Sequence, residues 1–286
     1  AAFGGVGGRW GPRGPPPRGA GGGARGGGGG GPRALYHVHA RSVDIARFLR
    51  LEEGLLRHRA SEDWLTTLDG AARRAVVLGV SGAVERLVDA REARRRDVKL
   101  VRRFTGGGTI ACDGDTLFVG MTMNAGDDAM VRERETHPRR VMAATGEVYA
   151  RVFDKCGTFA LRENDYAFGT RKFGGNAQAI TRGRFLHHTS FLYDYDEDAM
   201  AATLKTPERA PAYRNGRAHG DFVTRLRDRG YERDEIFERV RGTMRGMLGY
   251  EIVDVALEDA ERMVDDAVTR SGVARWDTTK VLSWDD

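Results

Sequence analysis

At 286 residues, 40% of them apolar, the chain has enough material to bury a real core in one large domain or two small ones. Its formal charge of +5 sits entirely in residues 1–33, where Arg9, Arg13, Arg18, Arg25 and Arg33 meet no acid, so residues 34–286 are formally neutral and carry no general nucleic-acid footprint. No apolar run approaches the ~18 residues of a membrane helix, and two cysteines, Cys112 and Cys156, outside any CxxC or Cys/His cluster, fit a reducing compartment without a disulfide framework or zinc module.

Residues 1–33 hold 16 glycines and five prolines, a composition that cannot bury a core and predicts a disordered tail. Two readings of the tail stay open. It is Arg-containing and acid-free like an organellar transit segment, though neither Ser-rich nor amphipathic. It is also built like an Arg-Gly arm that touches RNA, an anionic surface or a larger complex. The missing initiator Met suggests a processed or trimmed start.

From Ser42 onward, Ile45, Phe48, Leu49, Leu55 and Leu56 recur at helical spacing, with Ser42 as the expected N-cap. Residues 64–68 and 75–81 read as short strands, and 85–96 as a charged helix whose Arg94, Arg95 and Arg96 form a solvated face. Residues 99–104 are a strand running into the triple glycine, and 116–123 resume strand character. That glycine loop therefore lies between strands and does not open a helix in the GxGxxG form of a dinucleotide fold. Residues 124–140 read as a charged surface excursion, 141–153 as a helix, and 159–163, 166–169 and 185–195 as strands around a central Gly-Gly loop. A short helix at 197–204 precedes an irregular basic loop at 205–220 that contains Pro207 and Pro211. A helical region begins at 221–226 and continues through 234–247, with Ile236, Val240, Met244 and Met247 on a core-facing stripe. A strand at 250–257 and a helix at 258–270 close the pattern. Without internal repeats, this irregular alternation predicts a single α/β domain over 34–286, with a mixed β-sheet and packed helices.

The chemistry concentrates in two basic, glycine-rich stretches. In the first, residues 101–109 read VRRFTGGGT; in the second, residues 171–178 read RKFGGNAQ, followed at 183–191 by GRFLHHTSF. Lys172 offers an ammonium to negative oxygens, and Gly174 and Gly175 let backbone N–H groups approach a ligand. Asn176 and Gln178 add donors and acceptors of fixed direction. Together the two stretches suggest one anionic ligand gripped from both sides.

RRFTGGGT, RKFGGNAQ and GRFLHHTSF, in that order, resemble the lipoate-protein ligase A branch of the biotin/lipoate ligase superfamily, and their spelling is especially similar to its plant and algal members. The resemblance implies the class II synthetase-like catalytic fold of that superfamily. It implies activation of lipoate by Mg2+-ATP to lipoyl-AMP, then transfer to an acceptor lysine. The implied acceptors are the lipoyl domains of 2-oxoacid dehydrogenase complexes and the glycine-cleavage H protein, which makes a mitochondrial setting the expectation and a plastid one the alternative. By resemblance Lys172 is the catalytic lysine, an electrostatic clamp on the acyl carbonyl and the bridging phosphate oxygen. Arg102, Arg103, Thr105, Gly106, Gly107, Gly108, Gly174, Gly175, Asn176, Ala177, Gln178, His187 and His188 then form the lipoyl- and nucleotide-binding set. Of the two arginines, which alternate across a strand, Arg103 is expected to meet the ligand. Either histidine also reads as a hydrogen-bonded core residue.

Three departures from the family pattern stand out. Cys112-Asp113 replaces a His-Asp pair found after the triple glycine in bacterial ligases, and residues 80–83 (VSGA) replace an Arg-x-Gln-Asn element. Residues 272–286 leave no room for the accessory C-terminal domain, so a separate adenylation partner, or the transfer half-reaction alone, is expected. Two rivals remain at this stage. A ligase fold kept as a non-catalytic subunit of an organellar complex is one. The other is an octanoyltransferase using Cys156, which lies 16 residues before Lys172 and whose thiolate would be activated beside a lysine.

Overall fold

The computed structural model describes residues 33–126, 130–132, 136–181, 183–205, 211–273 and 276–284. Two strands rich in apolar and Thr residues, β2 (Asp63–Ala71) and β6 (Thr116–Asn124), are buried along nearly their whole length. That is the signature of central strands covered on both faces. They anchor an eight-stranded sheet with β1 (Ala34–Val43), β7 (Phe159–Arg162), β8 (Asp165–Phe168), β9 (Arg171–Thr181), β10 (Arg184–Leu192) and β11 (Glu251–Asp254). The order is β11-β1-β2-β6-β10-β9-β8-β7, parallel from β11 to β2 and antiparallel from there to β7. A second mixed sheet holds β3 (Ala75–Leu78), β4 (Lys99–Arg102), β5 (Ile110–Cys112) and β12 (Lys280–Leu282), in the order β12-β4-β3-β5.

Helices cover the large sheet on both sides. On one, α4 (Pro138–Val152) and α7 (Arg233–Leu248) enclose an aromatic core of Tyr149, Phe153, Tyr166, Phe168, Phe173, Phe191 and Tyr231. Phe168 and Phe173 stack there with centroids 4.3 Å apart. On the other, α1 (Ile45–His58) and α8 (Leu257–Ser271) share a core with Trp64, Leu68 and Phe118, into which the small sheet inserts Val77, Val101 and Cys112. The second motif lies in the large sheet and the first feeds out of the small one, so the interface between sheets brings them together.

The mixed α/β architecture follows expectation, but with two sheets where one was anticipated. Asp44, not Ser42, caps α1, its carboxylate accepting from the amides of Ala46 and Arg47, while Ser42 sits at φ +50°. The expected 85–96 helix is split into α2 (Val84–Leu87) and α3 (Ala90–Arg95), because Val88 bridges to Leu204 and Asp89 caps the second piece. The helix expected across 221–247 is likewise broken. A short α6 (His219–Phe222) ends well before α7, and Gly230 turns the chain at φ +74° between them. Helix α5 (Glu197–Thr203) is as expected. Arg33, assigned to the tail, instead pairs with Asp63 at 2.7 Å and lies over the ring of Tyr250. The rest of the 1–33 tail lies outside the described residues, as do parts of the 124–140 and 205–220 stretches; Val131 of the former is buried in the core.

Candidate active site

The stretch RKFGGNAQ is not a loop. It is the first eight residues of β9, a continuous strand of 11 residues paired to β8 and β10. Gly174 is required there by packing, since a Cβ would stand 2.8 Å from the ring of Phe191 on β10. The pairing with β8 slips by one residue: Gly175 opposes Asp165 and Gly174 opposes Tyr166, but Lys172 opposes Ala167, and Phe173 is left over. This β-bulge fixes where Lys172 points. Lys172 and Gly175 are three residues apart and would face opposite sides of a regular strand. The extra residue restores their agreement, sending Phe173 into the aromatic core and setting Lys172 on the same face as Asp165 and Gly175.

On that face the Lys172 ammonium pairs with Asp165 Oδ1 at 2.7 Å, with Lys172 27% exposed and Asp165 9%. A Cβ at Gly175 would come 3.1 Å from Nζ, so the glycine is the notch in which the ammonium lies. Two of its three N–H groups have no partner among the described residues. The hydroxyl of Tyr213 donates to the other carboxylate oxygen of Asp165 at 2.9 Å. Burial and then the Asp165 charge push this phenol well above its ordinary pKa.

The triple glycine meets the same face from the small sheet. A Cβ on Gly107 would stand 3.4 Å from the Asn176 carbonyl oxygen and 3.6 Å from Ala177 Cβ. Ala177 is two residues beyond Gly175, so the loop overlies β9 next to the lysine notch. Gly106 and Gly108 have open space where a side chain would be.

Arg103 holds this loop. Its guanidinium, nearly fully buried, donates to Thr105 Oγ1 at 2.8 Å and to the carbonyls of Gly106 at 2.9 Å, Gly108 at 2.7 Å and Val77 at 3.4 Å. Burial lowers its pKa to about 10, which leaves it charged at neutral pH. The structure thus places Arg103 and Thr105 beneath the loop as its frame. Arg102 donates to the carbonyls of Val80 at 3.3 Å and Gly82 at 2.6 Å, and the Val80 amide donates to the Thr105 carbonyl at 3.0 Å. Residues 80–83 therefore brace the loop through backbone groups.

The histidines separate to opposite faces of β10, and both are buried. His187 lies in a chain in which Gln178 Nε2 is 3.1 Å from its Nδ1, Tyr166 Oη is 2.9 Å from its Nε2, and Thr145 Oγ1 is 3.0 Å from that phenol. Burial first, then His188, lowers the pKa of His187 to about 3, so it is neutral. His188 contacts Glu52 Oε2 at 2.6 Å, and Thr66 donates to Glu52 Oε1 at 2.8 Å. Glu52 is fully buried, and Gly120 leaves room for it: a Cβ there would overlap Glu52 Oε1 and Thr66 Oγ1. Asn176 donates to the Asn164 carbonyl at 2.5 Å and so ties β9 to the turn before β8.

Cys156 belongs to the other side of the sheet. It packs against the aromatic core, its Sγ donating to the Arg229 carbonyl at 3.7 Å. Sequence reasoning missed Asp165, Tyr213, Glu52 and Gly120. Only Asp165 carried a signal: Asn164-Asp165 is turn-forming between two strand-like runs, which places a carboxylate one strand away from Lys172.

The profile of the lipoyl protein ligase A/B catalytic domain matches residues 44–242. The chain belongs to that family. Inactive lipoate-protein ligase 2 of Plasmodium falciparum is 25% identical over 187 residues, covering 54% of this chain and 48% of that protein. Lipoate-protein ligase A subunit 1 of Thermoplasma acidophilum is 29% identical over 146 residues, covering 47% and 53%. The chain therefore spans about half the length of these curated relatives. Among solved structures, lipoate-protein ligase A bound with ATP superposes with a TM-score of 0.67 at 19% identity, covering 86% of this chain and 98% of the other. A T. acidophilum protein with bound lipoic acid gives 0.63 at 19% identity, covering 86% and 99%. These superpositions establish the shared fold.

Proposed function

We propose that this chain transfers a lipoyl group from lipoyl-AMP to an acceptor lysine, and that it forms the adenylate from lipoate and ATP either alone or with a separate adenylation partner. The observation that carries the reading is the ammonium of Lys172, held in the Gly175 notch with two N–H groups unpartnered among the described residues, beside a glycine loop clamped from behind by Arg103. Negative charge develops on the acyl carbonyl oxygen as an amine attacks, and on the bridging phosphate oxygen as AMP leaves. A preorganised cation within reach of both oxygens stabilises that change. The open positions at Gly106 and Gly108 give an acyl chain and a nucleotide backbone-close passage. Lipoic acid and ATP are bound in the two similar structures. Among the described residues no three His, Cys, Asp or Glu side chains gather as a metal site, so Mg2+ would come with the triphosphate. Acceptors of the 2-oxoacid dehydrogenase and glycine-cleavage type, and a mitochondrial or plastid location, belong to the same proposal.

A non-catalytic ligase-fold subunit is the second reading, favoured by the P. falciparum relative named as inactive. The octanoyltransferase reading loses its support, because Cys156 and Lys172 lie on opposite faces of the sheet. The test is acyl transfer followed by intact-protein mass spectrometry, with an apo lipoyl domain and either lipoate plus Mg2+-ATP or preformed lipoyl-AMP. Modification in both mixtures, lost in Lys172→Ala, is the result expected of a self-sufficient ligase. Modification with the adenylate alone assigns activation to a partner. No modification in either, from folded protein and a competent acceptor, refutes transfer and leaves the binding subunit.

A further inference from the structure

Lysine is a poor clamp unless something holds it. Its ammonium rides on a four-carbon stem whose rotamer freedom must be given up before a precise contact forms. In this chain the restraint comes from outside β9. Asp165 opens β8 after a turn in which Glu163 adopts φ +52°, a left-handed conformation costly for a residue with a side chain. Two contacts pin that turn: Asn176 on the Asn164 carbonyl at 2.5 Å, and the Tyr213 amide on Glu163 Oε1 at 3.3 Å. The Tyr213 ring packs on Phe222 with centroids 5.2 Å apart, and Arg214 and Arg217 lie over the Phe222 ring at 5.3 and 5.4 Å. The phenol thus reaches Asp165 from a braced segment.

We propose that Asp165 and Tyr213 form a positioning pair for Lys172: the carboxylate takes one N–H of the ammonium, the phenol fixes the carboxylate, and the remaining two N–H groups are aimed at the acyl donor. Asp165 is nearly buried, and each of its carboxylate oxygens has a different partner. The Tyr213 hydroxyl occupies Oδ2 and leaves Oδ1 alone to Lys172. Burial and the adjacent carboxylate keep that phenol a donor throughout the working pH range. Gly175 completes the arrangement, since a Cβ there would stand 3.3 Å from Lys172 Cε and 4.0 Å from Asp165 Oδ1. Neither partner needs to touch the acyl donor. The inference rests on the lipoyl-transfer reading of Lys172.

The test is a double-mutant cycle on the full chain. Tyr213→Phe and Asp165→Asn are made in the wild-type and Lys172→Ala backgrounds, with folding checked by circular dichroism. Transfer from preformed lipoyl-AMP to an apo lipoyl domain gives kcat and KM, and calorimetry gives the affinity of the non-hydrolysable analogue lipoyl-sulfamoyl-adenosine. In the wild-type background, Tyr213→Phe should lower kcat about tenfold, the scale of a hydrogen bond to a charged group. Asp165→Asn should lower it about 100-fold, the scale of a misplaced electrostatic donor, with KM for the acceptor unchanged. In the Lys172→Ala background, where transfer is lost, the cycle is read on analogue affinity, and neither substitution should lower it further because both act through the lysine. Equal losses of analogue affinity in the two backgrounds, or wild-type kcat in Tyr213→Phe, overturn the proposal. If the wild type transfers nothing, the transfer reading fails separately and the pair is judged on analogue affinity. Loss of affinity in both variants only when Lys172 is present supports the pair. Unchanged affinity, or no binding by the wild type, overturns it.

Discussion

The three glycines of the 106–108 loop should respond to the same methyl group in different ways. Gly107 stands at φ +104°, a region that costs a residue with a Cβ roughly 1–2 kcal/mol. Its new Cβ would also lie 2.9 Å from Arg103 Nη2, the nitrogen bonded to the carbonyls of Gly106 and Gly108. Weakening one such charge-assisted bond costs about 1.5–3 kcal/mol. Gly107→Ala should therefore destabilise the fold by about 3–4 kcal/mol, which for a domain of this size lowers Tm by roughly 10 °C. Gly106→Ala and Gly108→Ala meet nothing within 4 Å and have ordinary φ, so Tm should hold, or rise slightly as the unfolded chain loses freedom. Those two should instead weaken binding of lipoyl-sulfamoyl-adenosine at least about tenfold, the scale of one misplaced methyl in a shaped site. Scanning calorimetry reads the first effect and titration calorimetry the second. Indistinguishable Tm values for the three variants would refute the reasoning, because they would mean that Arg103 does not depend on the conformation of Gly107.

Gly120→Ala should cost about 3–5 kcal/mol, measured by urea unfolding, because its methyl displaces the buried Glu52 from His188 and Thr66; a loss below about 1 kcal/mol would count against that network. The pKa of His187, depressed to about 3 from 6.5, gives a signed pH dependence: the unfolded chain takes up a proton that the folded form refuses, so stability present above pH 6.5 falls as pH drops towards 3. This one group contributes up to about 1.4 kcal/mol per pH unit in that window. His187→Gln should flatten the slope, and identical slopes in unfolding titrations between pH 4.5 and 7 would exclude the effect. Arg103→Lys keeps the charge but loses the fork that reaches Thr105, Gly106 and Gly108 at once, so it should destabilise by about 2–4 kcal/mol and weaken analogue binding; a wild-type melting curve would show that the loop holds itself.

The sequence revealed those elements whose stability comes from their own pattern. Helices α1, α4, α7 and α8 carry apolar stripes at helical spacing, and β2, β6 and β10 are dense in β-branched and aromatic residues. What depended on partners far along the chain stayed hidden. Strand β1 spells ALYHVHARSV, whose alternating His37, His39 and Arg41 are a strand signal, but its place between β11 and β2 rests on residues far along the chain. The three-residue strands β5 and β12 have no periodicity to read and exist through β3 and β4. Strand β9 looked like a loop because Gly174, Gly175 and Asn176 are poor strand formers on their own; packing against Phe191 and the lysine notch reverses that preference. In the candidate site, the motifs marked Lys172 and the triple glycine, which the fold brings to one face of β9. It could not tell that the Arg103 side chain turns back into the loop, or that both histidines are consumed by buried networks. Those outcomes depend on which groups meet across the sheets. The partners Asp165 and Tyr213, 7 and 41 residues from Lys172, meet it only after two hairpin turns and a return of the chain.

The bulge at Phe173 changes what counts as equivalent spacing in this strand. In a regular strand, a single-residue insertion or deletion exchanges the two faces, and a functional side chain ends up in the core. Here the surplus residue is already absorbed by the pairing. A chain lacking Phe173 would place Lys172 two positions before Gly175, still on Gly175's face, and would forfeit only an aromatic plug. The address of the lysine is thus insulated from the loss of one residue between it and the glycines. A chain one residue shorter at this point would keep the same geometry, so a gap placed there in a comparison of sequences would mark a change in the core and leave the site where it was.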